Sequence, residues 1–385
     1  MKKQFFNQAD INISEFDRIC SQKLEEKDYH YCSAIQKKVV IYEGDYLSSI
    51  IDSPNSVKLK SELHNCLKEG PGIFIIKNIF TNKKAIDKAT KIFLKIIAEE
   101  NKSKEIKGDH FAKPGENKRL WNSFQKLCES DPEAFIDYYD NKFLRFASEA
   151  WLGPFFQMTS QVNIVKPGGI AQNPHRDYHL GFQEDSCVSK FPLSSQILSQ
   201  FLTLQGSVAH TDMAISSGPT IVLPFSQKYS LGYMAWRNND FKHFFRKQAI
   251  QIPMEKGDAM FLNPALFHAA GDNKESKDRI ANLLQVSSAF GKPLEAVDRF
   301  KLAKLIYPIL LKKKKNHQLE RIDTQTVCAL AMDGYPFPTN LDLNPPLGNS
   351  SPTNMQALVE MALRENWPAR QLEMTIKKSE KLRIA

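Results

Sequence analysis

The chain has 385 residues, 42% of them hydrophobic and 25% charged, and a formal charge of +9, which suits a folded protein with one large core and appendages or two small domains. No apolar run approaches the roughly 18 residues that a membrane-spanning helix needs, and the opening MKKQFFNQADINISEF turns polar too soon for a secretory signal, so a cytoplasmic protein without a transmembrane segment is expected. Cys20, Cys32, Cys66, Cys128, Cys187 and Cys328 are scattered with no CxxC pair, which speaks against a zinc ribbon and a disulfide framework.

Residues 1–60 are polar apart from one β-like run, KKVVIYEG, and read as an N-terminal appendage. The run EGPGIFIIKNIF, bounded by Gly70 and Gly72, predicts a buried strand. Behind it, Ile86, Ala89, Ile92, Phe93, Ile96 and Ile97 recur at helical spacing. A second helix covers DNKFLRFASEAWLG and stops at Gly153. From about Phe155 to Phe290 the texture changes to short strand candidates: SQVNIVK, SQFLTLQGSV, PTIVL, AMFLN and RIANLLQVSS. Strands of this length and density, punctuated by Pro-Gly-Gly at 167–169 and Ser-Gly-Pro at 217–219, predict a jelly roll.

Residues 61–290 therefore form the expected core domain, and 291–385 a basic, helical C-terminal extension. Between Gln285 and Arg321 nine Lys/Arg face three acids, a local net of 9 − 3 = +6. Charge runs usually solvate a helix face; the alternative is contact with a membrane surface or an acidic partner through 299–321, although Pro308 should interrupt a long amphipathic helix there. The chain then runs through the proline-rich YPFPTNLDLNPPLGNSSP into a final helix, TNMQALVEMALREN, capped by Thr353 or Asn354.

Within QNPHRDYHLGF, His175 and Asp177 are two apart, so on a strand both face one point in space. A facial iron site takes two imidazoles and one carboxylate and leaves adjacent positions open. His268 is the downstream histidine with a strand-end context, closing the strand of GDAMFLNPALFH. Eleven residues on, Arg279 opens the next strand; a hairpin of that length sets its guanidinium beside the site, where it can grip a carboxylate bidentately.

HRD at 175, SGPTIVLPFSQK at 217, KGDAMFLN at 256, FHAAGDNKESKDR at 267 and the early GIFIIKNIF strand together resemble the phytanoyl-CoA dioxygenase-like branch of the iron(II), 2-oxoglutarate-dependent oxygenases, over roughly residues 70–290. The resemblance implies a mainly β fold with flanking helices around a double-stranded β-helix, the cupin-like jelly roll. It implies Fe(II) held by His175, Asp177 and His268, the cosubstrate 2-oxoglutarate with its far carboxylate on Arg279, and O2. The implied reaction is oxidation of a C–H bond in a small organic or acyl-type substrate, with release of succinate and CO2. Gln161, on the strand before HRD, either contacts 2-oxoglutarate, as a polar residue there does in similar proteins, or is a solvated strand position. Where the family's turn after Gly-Pro ends in Gly-Ser-His, this chain has Phe225, Ser226 and Gln227.

Arg119, Trp121, Asn122 and Gln125 form a candidate pocket wall, with a core role as the alternative for the tryptophan. His179 reads as substrate-facing or as a support for the ligands. His210 and Asp212 are a rival His-x-Asp pair, ranked lower because no arginine follows at the right offset. A metal-binding jelly roll without catalysis is the competing function, opposed by an intact Asp177 and Arg279. No nucleic-acid motif is present.

Overall fold

The computed structural model describes residues 3–102, 117–317, 322–348 and 350–384; Arg321 of the basic run and His110 lie outside them. Among the described residues eleven strands are arranged in two sheets. In chain order they are β1 (Ala34–Gln36), β2 (Val39–Glu43), β3 (Ile73–Lys77), β4 (Asn117–Leu120), β5 (Gln157–Val165), β6 (Thr203–Ala209), β7 (Ile221–Val222), β8 (Ile250–Gln251), β9 (Ala259–Leu262), β10 (His268–Ala269) and β11 (Arg279–Ser287). The main sheet runs β1-β2-β3-β9-β6-β11-β5-β4 and the second β10-β7-β8. A reciprocal bridge between His175 and His268 adds the HRD segment beside β10.

From β5 onward the chain alternates between the sheets: β5, the His175 segment, β6, β7 and β8, β9, β10, then β11. This is the double-stranded β-helix course. Around it the helices hold far more residues than the strands, so the core is a jelly roll but the chain as a whole is α and β in mixture.

Side chains alternate across each main strand and thereby give the sheet two different faces. On the outer face Leu204, Val208, Phe261, Ile280, Leu284 and Val286 join one apolar core with the helices. Helices Ser56–Lys68, Lys84–Lys102, Lys142–Leu152 and Arg299–Lys315 all contribute to it. On the inner face Ile73, Ile75, Met260 and Leu262 meet Val222, Ile252 and Leu266 from the opposite side. That apolar filling closes one part of the interior, and the part bounded by β5, β6 and β11 is left polar.

The N-terminal residues, expected as an appendage, pack onto the core. β2 pairs in parallel with β3 and lengthens the main sheet, and Phe16 packs 5.0 Å from Phe267, next to His268. The parallel register joins strands far apart in sequence, which a local pattern does not report. Pro308 likewise fails to break its helix, which runs from Arg299 to Lys315 through it. The proline is exposed, while Ile306, Tyr307 and Leu310 on either side are buried in the core and hold the helix together. The apolar stripe of LIYPILL is thus used inside the protein. Asn354 caps the helix Met355–Glu365 by accepting from the Ala357 amide, and a further helix, Ala369–Lys381, follows it.

Candidate metal centre

The three residues His175, Asp177 and His268 converge so that one ligand atom from each lies within 4.8 Å of the others. Asp177 Oδ1 is 3.6 Å from His175 Nε2, and Oδ2 is 3.5 Å from His268 Nε2. The two histidines face each other because their backbones exchange both bridge hydrogen bonds, at 3.0 and 3.1 Å. Each ring is turned by its own backbone: His175 Nδ1 lies 2.9 Å from the Asn173 carbonyl and His268 Nδ1 2.9 Å from the Leu266 carbonyl. A carbonyl only accepts, so each Nδ1 carries the proton and each Nε2 offers a lone pair to the centre. Asp177 Oδ1 is buried with no hydrogen-bond partner. Two imidazole nitrogens and a carboxylate oxygen in this state fit a divalent first-row metal.

Burial and charge shift all three groups. Burial pushes the His175 imidazole down to about 4, against the pull of Asp177. Burial alone would raise Asp177, but the two neighbouring imidazoles hold it below the usual carboxylate range. His268 is drawn down by burial and raised more strongly by its contact with Asp177.

Between the two ligands, Arg176 points the other way. Its buried guanidinium donates to the carbonyls of Ser226 (2.6 Å) and Tyr229 (2.9 Å) and lies over the rings of Tyr233 and Phe267. Gly232 permits this: a Cβ there would stand 1.8 Å from the guanidinium carbon. Ser226 also accepts from the Phe267 amide, and Gln227 donates to the Gly70 carbonyl, so the residues in place of the family's Gly-Ser-His brace the site from behind. After Asp177 the chain leaves the sheet through Tyr178 (φ 65°) and His179 (φ 39°). His179 is half-buried, 3.4 Å from the Thr203 hydroxyl, and does not join the ligands.

The three residues line a cavity of about 630 Å³, counted to its open mouth, together with Arg279, Arg119, Asn163, Gln205, Ser207 and Gln285. His268 opens its own two-residue strand in the second sheet and does not end β9, so the link to Arg279 crosses between sheets and is not a hairpin. Arg279 starts β11 as expected and is buried, with its Nε unpartnered and no acid within ion-pair distance among the described residues. Burial, then the neighbouring Arg119, lower its pKa to about 10, so the guanidinium is charged at neutral pH.

Gln161 is buried and accepts from Arg119 Nη1 at 2.9 Å, one step behind the cavity wall. Of the proposed wall residues Arg119 lines the cavity, with its guanidinium over the Trp121 ring. The Asn122 amide donates to Glu295, and Gln125 accepts from the Asp298 amide. His210 belongs to the opposite face of the sheet, between the hydroxyls of Thr90 and Tyr138, while Asp212 accepts from the Lys256 amide. The rival pair therefore does not meet at one point. Asn163, Gln205 and Gln285 were missed in the sequence; alternation from Gln161 and Arg279 could have found the first and last.

The family model for phytanoyl-CoA dioxygenase (PhyH) matches residues 55–281, more than half of the chain. The chain belongs to the phytanoyl-CoA dioxygenase family. It is thereby an enzyme of the non-haem iron, 2-oxoglutarate-dependent class. Solved structures similar to it include the α-ketoglutarate-dependent carbocyclase SnoK from nogalamycin biosynthesis, at 15% identity and TM-score 0.43 over 66% of this chain and 90% of that one. The epimerase SnoN from the same biosynthesis matches at 12% and 0.40, over 62% and 84%. HygX from Streptomyces hygroscopicus, with nickel and 2-oxoglutarate bound, matches at 12% and 0.40, over 61% and 90%. No curated protein is a significant match. Among the described residues no helix is long and apolar enough to cross a membrane.

Proposed function

We propose that this enzyme hydroxylates a C–H bond of a small organic substrate, with His175, Asp177 and His268 holding Fe(II) and Arg279 holding the far carboxylate of 2-oxoglutarate. The observation that carries this reading is the pair of Nε2 lone pairs and the unpartnered Asp177 oxygen aimed at one point, in a cavity that also contains a buried arginine. Bound there, iron with 2-oxoglutarate and O2 supplies the oxidising power that converts C–H to C–OH, with succinate and CO2 as coproducts.

The chain's own contribution is placement. Asp177 brings one negative charge to the metal, and each histidine binds it as a neutral ligand through Nε2, its Nδ1 turned to a backbone carbonyl. Arg279 fixes the cosubstrate from the side by charge-assisted hydrogen bonds. The remaining wall mixes polar side chains with Leu262, Leu283, Ala269 and Ala270, which suits a small organic substrate beside the cosubstrate. Gln161 acts on the cavity through Arg119.

His268→Ala is the test. The variant should bind Fe(II) far more weakly under anaerobic conditions while its far-UV circular dichroism stays that of the parent. Equal iron content and equal succinate formation in the variant would sink the assignment.

A further inference from the structure

Gln205 lies on the inner face of β6, paired across the sheet with Gln285 of β11 on one side and Leu262 of β9 on the other. Its Nε2 donates to Asp177 Oδ2 and stands 3.5 Å from Gln285 Oε1. A carboxylate accepts and never donates. The orientation of the Gln205 amide is therefore dictated by Asp177: the NH2 group faces the carboxylate. The second N–H of that group can be received only by an oxygen, so Gln285 turns its Oε1 toward Gln205 and its own NH2 away. Gln205 Oε1 is left buried without a partner.

The terminal torsion of an aspartate is broad and two-fold, so little in the side chain itself decides which oxygen faces the metal. We infer that Gln205 is a positioning residue: by binding Oδ2 it holds Asp177 with Oδ1 free for the metal, and Gln285 in turn fixes Gln205. The inference rests on the metal reading proposed above. A partner of this kind behind a ligand is commonly worth 10- to 100-fold in metal affinity.

The experiment uses Co(II) alone, titrated into the full chain and followed by calorimetry and by its visible absorption. Gln205→Met, close in volume but without a donor, should bind Co(II) about 10- to 100-fold more weakly and show an altered visible band. Gln205→Asn keeps an amide but withdraws it by one methylene, and should lose affinity likewise, which separates the hydrogen bond from an effect of methionine on packing. Gln285→Met removes the acceptor toward Gln205 and should also bind less well. Parent affinity and an unchanged band in Gln205→Met would overturn the inference, and parent affinity in Gln285→Met would overturn the part assigned to Gln285. A parent protein that takes up no Co(II) would overturn the metal reading, and the inference with it.

Discussion

Arg279 is a buried cation with no acid beside it among the described residues, on the wall of a cavity whose other charged members are Arg119 and Asp177. Such a guanidinium is stabilised by an anionic ligand, and a charge-assisted contact contributes about 2 to 3 kcal/mol. Arg279→Gln should therefore raise the dissociation constant of 2-oxoglutarate about 30-fold or more and leave metal affinity as it was, as calorimetry on the metal-loaded protein will show; an unchanged constant would assign the far carboxylate to another residue. Glu295 is a second buried group with a measurable consequence. Burial raises its carboxyl to about 7, while one oxygen accepts from the Asn122 amide and the other has no partner. Its folded value exceeds the ordinary one, so the folded state holds the proton more tightly, and stability is lost as pH rises from about 4.5 to about 7. Glu295→Gln should thus be more stable than the parent at pH 8, by on the order of 3 kcal/mol at most, with the advantage gone at pH 4; urea melts with no such pH dependence would contradict it. At this scale the candidate ligands are legible because HRD and a distal His-Arg pair are short patterns of rare residue types. Gln205 was not, since a glutamine in a strand carries no mark of the carboxylate across from it.

The HRD segment works as an element because alternation sends Arg176 away from His175 and Asp177 and into a buried carbonyl pair. The guanidinium anchors the backbone that carries them, and Gly232 leaves it room. Gly232→Ala must push the guanidinium aside, at a cost of about 1 to 3 kcal/mol as for other overpacked sites, and should lower metal affinity together with the unfolding midpoint. An alanine variant with parental stability and metal binding would show that the contact is not needed. The long strands β5, β6 and β11, and also β3 and β9, were readable from β-branched and apolar runs. β8 and β10 have two residues each and belong to the second sheet, too short for any period to register. That is why His268 read as the end of β9, and why the link from His268 to Arg279 looked like a hairpin.

In the whole molecule, the main sheet separates the chemistry from the bulk of the apolar core. Helices cover its outer face, so the inner face is free to carry Asn163, Gln205, Gln285 and Arg279 around the cavity. The basic helix Arg299–Lys315 serves that cover: Lys301 pairs with Glu129, Lys304 with Glu373, and Lys314 donates to the carbonyls that end the helix Met355–Glu365. The jelly roll was legible from strand density and turn residues, whereas the integration of residues 1–60 depends on the parallel β2–β3 register and on Phe16, which no local pattern announces. If His175, Asp177 and His268 hold an iron that also takes 2-oxoglutarate, the two should be detectable together before any substrate is known. Anaerobic addition of Fe(II) and 2-oxoglutarate to the full chain tests it most directly, because a bidentate 2-oxo acid on Fe(II) absorbs weakly in the visible. The account predicts such a band in the parent protein, its absence when either component is omitted, and its loss in His268→Ala. A parent protein that binds Fe(II) and 2-oxoglutarate with no visible band, or a His268→Ala variant that keeps it in full, would contradict the account.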